Sequence, residues 1–150
     1  PVLESDIEII GPISAEIYAA TSAGDTDWMV RLSDVLPDGR ALFLAEGVMR
    51  ARHRDPQQAG AFNAHRLSTI EPDQVYRYVI DFWRPTGNRF LAGHRIRVEI
   101  SSSYYPYYLR NLNTGEDNIG LATQPVAATQ TIRHDAEHPS CVILPVIPGR

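Results

Sequence analysis

The chain of 150 residues is the size of one domain, and its hydrophobic fraction of 43% and charged fraction of 21% are ordinary for a globular protein. A domain of this length buries about two-thirds of its unfolded surface, so it can form a core without disulfides or metals. The net charge of −4 argues against partners that need a basic surface, namely nucleic acids and anionic membranes. The single cysteine, Cys141, excludes an intrachain disulfide and any site built from several cysteines.

The two ends of the chain and its apolar runs bear on its cellular context. No apolar run reaches the length of about 18 residues that a membrane helix needs. The chain begins at Pro1 without a methionine and without the pattern of a signal peptide. We therefore expect a piece of a longer protein, with no membrane partner and a preference for the cytoplasm.

Apolar and polar residues alternate along most of the chain, which is the pattern of half-buried β-strands. This alternation predicts seven strands, at residues 12–21, 27–35, 41–53, 75–83, 95–102, 127–134 and 140–146. Between the second and third strands, Pro37-Asp38-Gly39 favours a turn and hence a hairpin. Gly47, inside the third strand, indicates a bulge or a close backbone approach. The segments 54–69 and 103–126 are predicted to be a loop and an irregular segment.

Short strands separated by turn signals predict an all-β fold. No long stretch with the helical period of 3.6 residues competes with this prediction, and no internal repeat or linker divides the chain. We therefore expect one β-sandwich or jelly-roll domain over residues 1–150.

Sequence motifs for catalysis and for metal binding are weak. A serine nucleophile on a tight elbow needs a glycine two residues before and two residues after it, and no serine has both. The segment His134-Asp135-Ala136-Glu137-His138 contains side chains of the kind that bind metals. Oxygen ligands that suit calcium occur at Asp25, Asp27, Asp34 and Asp38. Both sets are also typical of polar turns, so we predict neither a metal nor a cofactor.

The most unusual segment is aromatic and lies in the predicted irregular region. Four tyrosines fall within five positions, at Tyr104, Tyr105, Tyr107 and Tyr108. Such rings in a loop suit a flat ligand, a sugar or a protein partner, and the alternative is packing over an open end of the sandwich or against a neighbouring domain. Trp83 and Arg110 complete the set of candidate interface or ligand residues, and Arg110 could bind a carboxylate in a fork.

Five stretches of the sequence, in this order and spacing, carry a family resemblance: DTDWMVRLSDVLPDGRA (25–41), EGVMRARHR (46–54), LAGHRIRVEISSSYYP (91–106), RNLNTG (110–115) and EHPSCVILPVI (137–147). Together they resemble the C-terminal domain of the X-Pro dipeptidyl-peptidase, cocaine esterase and α-amino-acid ester hydrolase (CocE/NonD) family. The resemblance covers nearly the whole chain. Many relatives carry an acidic residue just before the position of Arg110, where this chain has Leu109.

The resemblance implies a jelly-roll β-sandwich similar to galactose-binding modules, which agrees with the alternation of the residues. It also implies that the Ser-Asp-His triad of the parent enzyme lies in a preceding α/β-hydrolase domain, so no catalytic residue is expected in this chain. The family domain begins before the position of Pro1, so we expect a first strand to be missing and a sheet edge to be exposed.

Two functions from different classes follow. In the first, the chain is an accessory domain that packs on the catalytic domain of a serine hydrolase for acyl esters, amides or X-Pro peptides, shapes its cleft and contributes to dimer contacts. In the second, it is an autonomous module that binds a carbohydrate or another ligand through the same aromatic rings. An independent small enzyme is disfavoured because a nucleophile motif is lacking.

Overall fold

A computed structural model describes residues 1–54, 67–116 and 124–148 of the chain. These residues contain nine β-strands and one short 3₁₀ turn, Ala51–His53. The strands are β1 (Ile7–Gly11), β2 (Ser14–Thr21), β3 (Asp27–Val35), β4 (Ala41–Arg50), β5 (Tyr76–Asp81), β6 (Thr86–Phe90), β7 (Arg95–Ser101), β8 (Gln130–Arg133) and β9 (Cys141–Ile143). Over these ranges the chain forms no helix that is long and apolar enough to span a membrane.

The strands form two main sheets and a small third one, with antiparallel pairing throughout. One sheet has the order β5-β2-β8, with β9 also paired to β2, and the second has the order β4-β3-β7. Strands β1 and β6 form a separate two-stranded ladder. This arrangement confirms the predicted all-β sandwich.

The core lies between the two main sheets and follows the period of two residues along each strand. Trp28, Val30 and Leu32 of β3 point into it and are almost fully buried. Ile17 and Tyr78 face them from β2 and β5, and the rings of Trp28 and Tyr78 are 5.7 Å apart. Burial of each such side chain contributes about 1.5–3 kcal/mol, which makes this layer the main source of stability.

Five of the nine strands lie close to their predicted positions, and β3 matches its prediction residue for residue. The predicted strand 41–53 is too long, because the chain turns into the 3₁₀ turn after Arg50. The last two predicted strands are too long as well, since β8 and β9 pair with β2 over only a few residues. Strands β1 and β6 were not predicted: both are short, and β6 begins at Thr86, directly after a proline that indicated a turn.

The bulge and the close approach predicted at Gly47 occur at two different places. The close approach is at Gly47, where an added Cβ would lie 2.8 Å from the Asp81 carbonyl oxygen. The register of β4 against β3 slips instead at Leu32/Ser33, where Ala45 and Phe43 face consecutive β3 residues and Leu44 is left over. This bulge places Phe43 on the outer face of the sheet, the same face as Glu46 and Arg31.

The two ends of the described chain meet at the β1–β6 corner. The Leu3 amide donates to the His94 carbonyl oxygen at 2.8 Å, and the Gly93 amide donates to the Leu3 carbonyl oxygen at 2.9 Å. On the other side of β1, the Ile147 amide donates to Glu8 at 2.8 Å and the Ile10 amide donates to Pro145 at 3.1 Å. Leu3 and Ile147, each close to one end of the described chain, are therefore both held by backbone hydrogen bonds.

Candidate functional site

The candidate site is an aromatic patch on the outer face of the sheet β4-β3-β7. We define the aromatic patch as Phe43, Trp83, Tyr104, Tyr107 and Tyr108. Strand β4 contributes the first residue, the segment after β5 contributes the tryptophan, and the turn that follows β7 contributes the three tyrosines. In that turn the Tyr108 amide donates to the Tyr104 carbonyl oxygen at 3.1 Å, which folds the segment back over the sheet.

Arg31 of β3 is the base of the aromatic patch. Its guanidinium group lies between two rings, 4.1 Å from the centroid of Tyr104 and 4.9 Å from that of Phe43. Arg31 Nη2 donates to the Tyr104 hydroxyl at 2.9 Å, and its Nε is 3.5 Å from a carboxylate oxygen of Glu46. A guanidinium group stacked on an aromatic face contributes about 0.5–2 kcal/mol, so this stack fixes the tyrosine turn to the sheet.

Glu46 connects the second half of the patch to the same base. The Tyr108 hydroxyl donates to Glu46 Oε1 at 3.1 Å, and the Trp83 amide donates to the Glu46 carbonyl oxygen at 3.4 Å. Partial burial first, and then the hydrogen bond to Glu46, raise the pKa of Tyr108 above its ordinary value. Tyr108 therefore stays a neutral donor to the carboxylate at physiological pH.

The outer part of the patch is open to solvent. Trp83 is 68% exposed and its ring lies 6.3 Å from that of Tyr108, while Tyr107 is 77% exposed and stacks on Tyr104 at 4.9 Å. A shallow pocket of about 330 Å³ lies beside Trp83, and Phe43, Glu46 and Tyr108 also line it. Aromatic side chains on a fixed polar base have the composition of a protein-binding hot spot.

The six residues singled out from the sequence divide into two groups. Trp83, Tyr104, Tyr107 and Tyr108 come together in the aromatic patch. Tyr105 and Arg110 instead pair with each other, with the guanidinium group 4.4 Å from the ring centroid. In the structure Arg110 stacks on a ring, and its role as a candidate interface or ligand residue stays a prediction.

Phe43, Arg31 and Glu46 were missed in the sequence, because each occupies an ordinary position in a predicted strand. The sequence does contain a signal for Phe43. Leu42, Phe43 and Leu44 are consecutive apolar residues, whereas a strand with one buried face needs an apolar residue only at every second position. The bulge uses this run to turn the phenylalanine outwards.

The acidic residues considered for calcium have protein partners. Asp25 and Asp27 surround the Arg50 guanidinium, whose Nε is 3.7 Å and 2.8 Å from their respective carboxylate oxygens. The Asn111 side-chain amide donates to both carboxylates, at 3.0 and 2.9 Å. Burial raises the pKa of Asp25 above its ordinary 3.8, and the hydrogen bond from Asn111 acts against this shift.

The other acidic candidates are held separately. Asp34 lies 2.9 Å from His94 Nδ1, and Asp38 accepts from Arg40 Nε at 2.7 Å. Asp135 accepts the backbone N–H groups of Glu137 and His138 at 3.0 and 2.9 Å, which makes the 134–138 segment a polar turn. Over residues 1–54, 67–116 and 124–148, no three His, Cys, Asp or Glu side chains converge as a metal site would require.

Comparison with known proteins places this domain in a larger context. Residues 1–143 match the family described as the X-Pro dipeptidyl-peptidase C-terminal non-catalytic domain. The chain is 39% identical over 147 residues to a cocaine esterase of Rhodococcus sp. (strain MB1 Bresler), a match that covers 97% of this chain and 24% of the esterase. It is 27% identical over 156 residues to a putative serine esterase of Mycobacterium bovis, covering 97% of this chain and 23% of that protein.

Solved structures give the same result. An aminopeptidase from a marine sediment Thaumarchaeota archaeon superimposes with a TM-score of 0.88 at 30% identity, covering 98% of this chain and 25% of that one. An α-amino acid ester hydrolase superimposes with a TM-score of 0.86 at 30% identity, covering 98% of this chain and 24% of that one. The chain thus spans about a quarter of the length of these relatives. The chain belongs to the family of X-Pro dipeptidyl-peptidase C-terminal non-catalytic domains, as its sequence stretches predicted.

Proposed function

We propose that the chain is the C-terminal accessory domain of a serine hydrolase that cleaves acyl esters, amides or X-Pro peptides. In this proposal it packs on an α/β-hydrolase catalytic domain of the same polypeptide and helps to shape the catalytic cleft. The relatives support a larger chain, because each is about four times as long as the matched segment. Their printed names, an esterase, an aminopeptidase and an ester hydrolase, support the proposed class of reaction.

The observation that carries the docking part of the proposal is the aromatic patch. Trp83 and Tyr107 are mostly exposed, although their neighbours Tyr104 and Tyr108 are held by hydrogen bonds to Arg31 and Glu46. Large rings already fixed before binding lose little conformational entropy when a partner covers them. In the proposal, a partner domain covers Trp83 and Tyr107, and the ordered base beneath them sets its orientation.

Hydroxyl-radical footprinting of the full-length protein tests this docking. For each residue, the oxidation rate is divided by the intrinsic reactivity of its side-chain type. For Trp83 and Tyr107 we expect this normalised rate to be about tenfold lower than the value that their exposed fractions in this structure predict. Ile10, which is 58% exposed on β1, is the matched control and should be oxidised at the rate of an exposed residue. Full reactivity of both Trp83 and Tyr107 in the full-length protein would contradict docking through the patch.

A second candidate function rests on the pocket beside Trp83. Its volume of about 330 Å³ and its aromatic wall would suit one sugar ring stacked on the tryptophan, as in an autonomous carbohydrate-binding module. A stabilising shift in melting temperature with a sugar, lost in Trp83→Ala, would favour this function over docking. A dimer that buries the same patch would instead show protection that decreases on dilution.

A further inference from the structure

The chain contains no lysine, so all 14 of its basic side chains are arginines. Most of those in the described segments bind a carboxylate or stack on a ring, as Arg77 does with Glu16. The arginine side chains that have neither an ion pair, a hydrogen bond nor a ring contact with a described residue are Arg84, Arg95, Arg97 and Arg133. Because a guanidinium group keeps its charge throughout the physiological pH range, each of these is available to an anionic partner.

Arg84, Arg95 and Arg97 border the face of the sheet β4-β3-β7 that carries the aromatic patch. Arg84 follows Trp83 in the chain, is exposed, and lines the same pocket of about 330 Å³. Arg95 and Arg97 flank Ile96, which packs against the core, so both arginines point to the outer face of β7. Free positive charge is thus concentrated around the patch.

The register of the sheet places Arg97 near the patch. Ser33 of β3 is in register with Arg97 on one side and with Phe43 on the other, so these residues form one row across the outer face. Neighbouring strands are about 4.8 Å apart, which puts Arg97 about 10 Å from Phe43. On the far side of β4, the Trp83 amide donates to the Glu46 carbonyl oxygen. The patch therefore lies between Arg97 on β7 and Arg84 beyond β4.

The acidic groups on this face do not neutralise those arginines. Glu46 accepts the Tyr108 hydroxyl, and its second carboxylate oxygen lies 3.5 Å from Arg31 Nε. Glu99, the acidic residue of β7, is in register with Arg31 and forms no ion pair with any residue that the structure describes. The outer face therefore carries an excess of positive charge, although the chain as a whole has a net charge of −4.

Aromatic rings flanked by free arginines form the kind of surface that binds another protein. Tyrosine, tryptophan and arginine are enriched at protein-binding hot spots, and charged groups at the rim set the choice and the orientation of the partner. A guanidinium group binds a carboxylate through two parallel hydrogen bonds, which an ammonium group does not. A nucleic acid instead favours a continuous basic surface, whereas here aromatic rings separate Arg84 from Arg97.

We propose that the aromatic patch docks on an acidic protein surface, which places Asp or Glu carboxylates opposite Arg84 and Arg97. The occupant is the catalytic domain of the same polypeptide, which precedes residue 1 in a protein whose matched segment is a C-terminal domain. This inference rests on the proposed function and deepens it, because it names the chemistry by which the partner is recognised. The rings supply the buried contact, and the arginines fix its orientation.

A crosslink in the full-length protein identifies the carboxylate. Arg97→Lys supplies an amine in a domain that otherwise has no lysine, and a carbodiimide joins an amine to a carboxylate in contact with it through an amide bond. Glu99→Gln is combined with it, so that the nearby carboxylate on β7 cannot react. We expect the peptide that contains residue 97 to be coupled to an Asp or Glu of the polypeptide that precedes residue 1.

Charge reversal measures what the contact contributes. Arg97 is exposed and has no partner among the described residues, so Arg97→Glu should cost little within the domain itself. In the full-length protein we expect Arg97→Glu to lower the thermal midpoint by at least about 2 °C. Arg133→Glu, at an exposed and equally unpaired arginine of β8, is the matched control and should shift the midpoint by less than about 1 °C.

The charge swap completes the test. Replacing the carboxylate found by the crosslink with arginine should restore at least about half of the midpoint lost in Arg97→Glu. Coupling of position 97 to a residue between 1 and 150, coupling to a second copy, or no coupling would overturn the proposal, and so would equal midpoints for Arg97→Glu and Arg133→Glu.

Failure of this inference and failure of the docking itself give different results. If Trp83 and Tyr107 are protected in the natural full-length protein while position 97 does not couple, the domain docks through its rings and the acidic partner surface is wrong. If Trp83 and Tyr107 are fully reactive, the docking proposal fails at its own test.

Discussion

Gly47 is the described glycine at which a side chain has the least room. An added Cβ would lie 2.8 Å from the Asp81 carbonyl oxygen, 2.8 Å from Ile80 and 2.9 Å from Phe82. Two of these contacts involve backbone or a buried ring, which cannot move without shifting β5. The glycine thus allows β4 and β5, which belong to different sheets, to approach each other at the closed side of the sandwich.

We predict that Gly47→Ala lowers the free energy of unfolding of the domain by about 2–3 kcal/mol, because overpacking forces β4 away from β5. Urea unfolding followed by circular dichroism measures the change. Gly87→Ala is the control, because a Cβ added there would meet only the Ile9 carbonyl oxygen, at 4.0 Å. This substitution should lower the free energy of unfolding by less than about 1 kcal/mol. Equal midpoints for the two variants would show that the close approach is tolerated.

The same glycine shows how far single residues can be interpreted from sequence. A glycine inside an alternating strand predicted either a bulge or a close approach, and the close approach is confirmed. The contacts that decide between them come from Ile80, Asp81 and Phe82, at the end of β5 and directly after it, far along the chain. Local sequence does not contain that pairing, so the choice could not be made before the structure.

At the scale of elements, the turn that carries the tyrosines depends on one arginine from a neighbouring strand. Arg31 stacks on Tyr104 and Phe43 and also donates a hydrogen bond to the Tyr104 hydroxyl. A lysine keeps the charge but loses the planar group that stacks on both rings. The turn should therefore loosen even though no residue of the turn is changed.

We predict that Arg31→Lys speeds hydrogen exchange of the Tyr108 amide about fivefold, the equivalent of about 1 kcal/mol. That amide donates to Tyr104 within the turn, so it reports directly on its closure. Arg95→Lys, at an exposed position of β7 in the same sheet, should leave the rate unchanged. If Tyr108 exchanges at the same rate in both variants, the arginine does not hold the turn.

Elements were predicted well where alternation is long and poorly where strands are short. The alternation of Trp28, Val30 and Leu32 fixed β3 to the residue. The run of tyrosines was recognised as unusual, but its base was not, because the contact of Arg31 with Phe43 requires the bulge in β4. Strands β1 and β6 are only five residues long each, so neither carries a strong local signal.

At the scale of the whole molecule, one buried polar network joins three distant parts of the chain. Asp25 and Asp27 flank the start of β3, Arg50 ends β4, and Asn111 belongs to the segment after the tyrosine turn. Burial raises the pKa of Asp25 above its ordinary 3.8. In the pH range just above 3.8 the folded chain therefore holds the carboxyl proton of Asp25 more tightly than the unfolded chain does.

It follows that the contribution of Asp25 to stability falls as the pH rises through this range. We predict that Asp25→Asn removes this fall, so that the free energy of unfolding of the variant, relative to the natural chain, improves as the pH rises above 3.8 and levels off once Asp25 is ionised in the folded chain. Urea unfolding of both proteins at several pH values measures the difference. A difference that does not change with pH would mean that Asp25 titrates normally in the folded state.

The architecture could be predicted from sequence as an all-β sandwich, because the period of two residues is a property of each strand alone. The order of strands in the sheets could not, since β2 finds its partners at β5, β8 and β9, all much later in the chain. The resemblance to a known family predicted the family of the chain and its place in a longer protein, neither of which the alternation of apolar and polar residues can predict. The docking role of Trp83 and the four tyrosines stays a prediction.

Because residues from both ends of the described chain bond at the β1–β6 corner, the strands can pair only in a certain order during synthesis on the ribosome. The backbone hydrogen bonds between β1 and residues 145 and 147 can form only after almost all of the 150 residues have been synthesised. Strand β2 likewise waits for β8 and β9 to complete its sheet. The hairpin β3–β4 can form early, but the sandwich closes last, so its apolar inner faces stay exposed while most of these 150 residues are being synthesised.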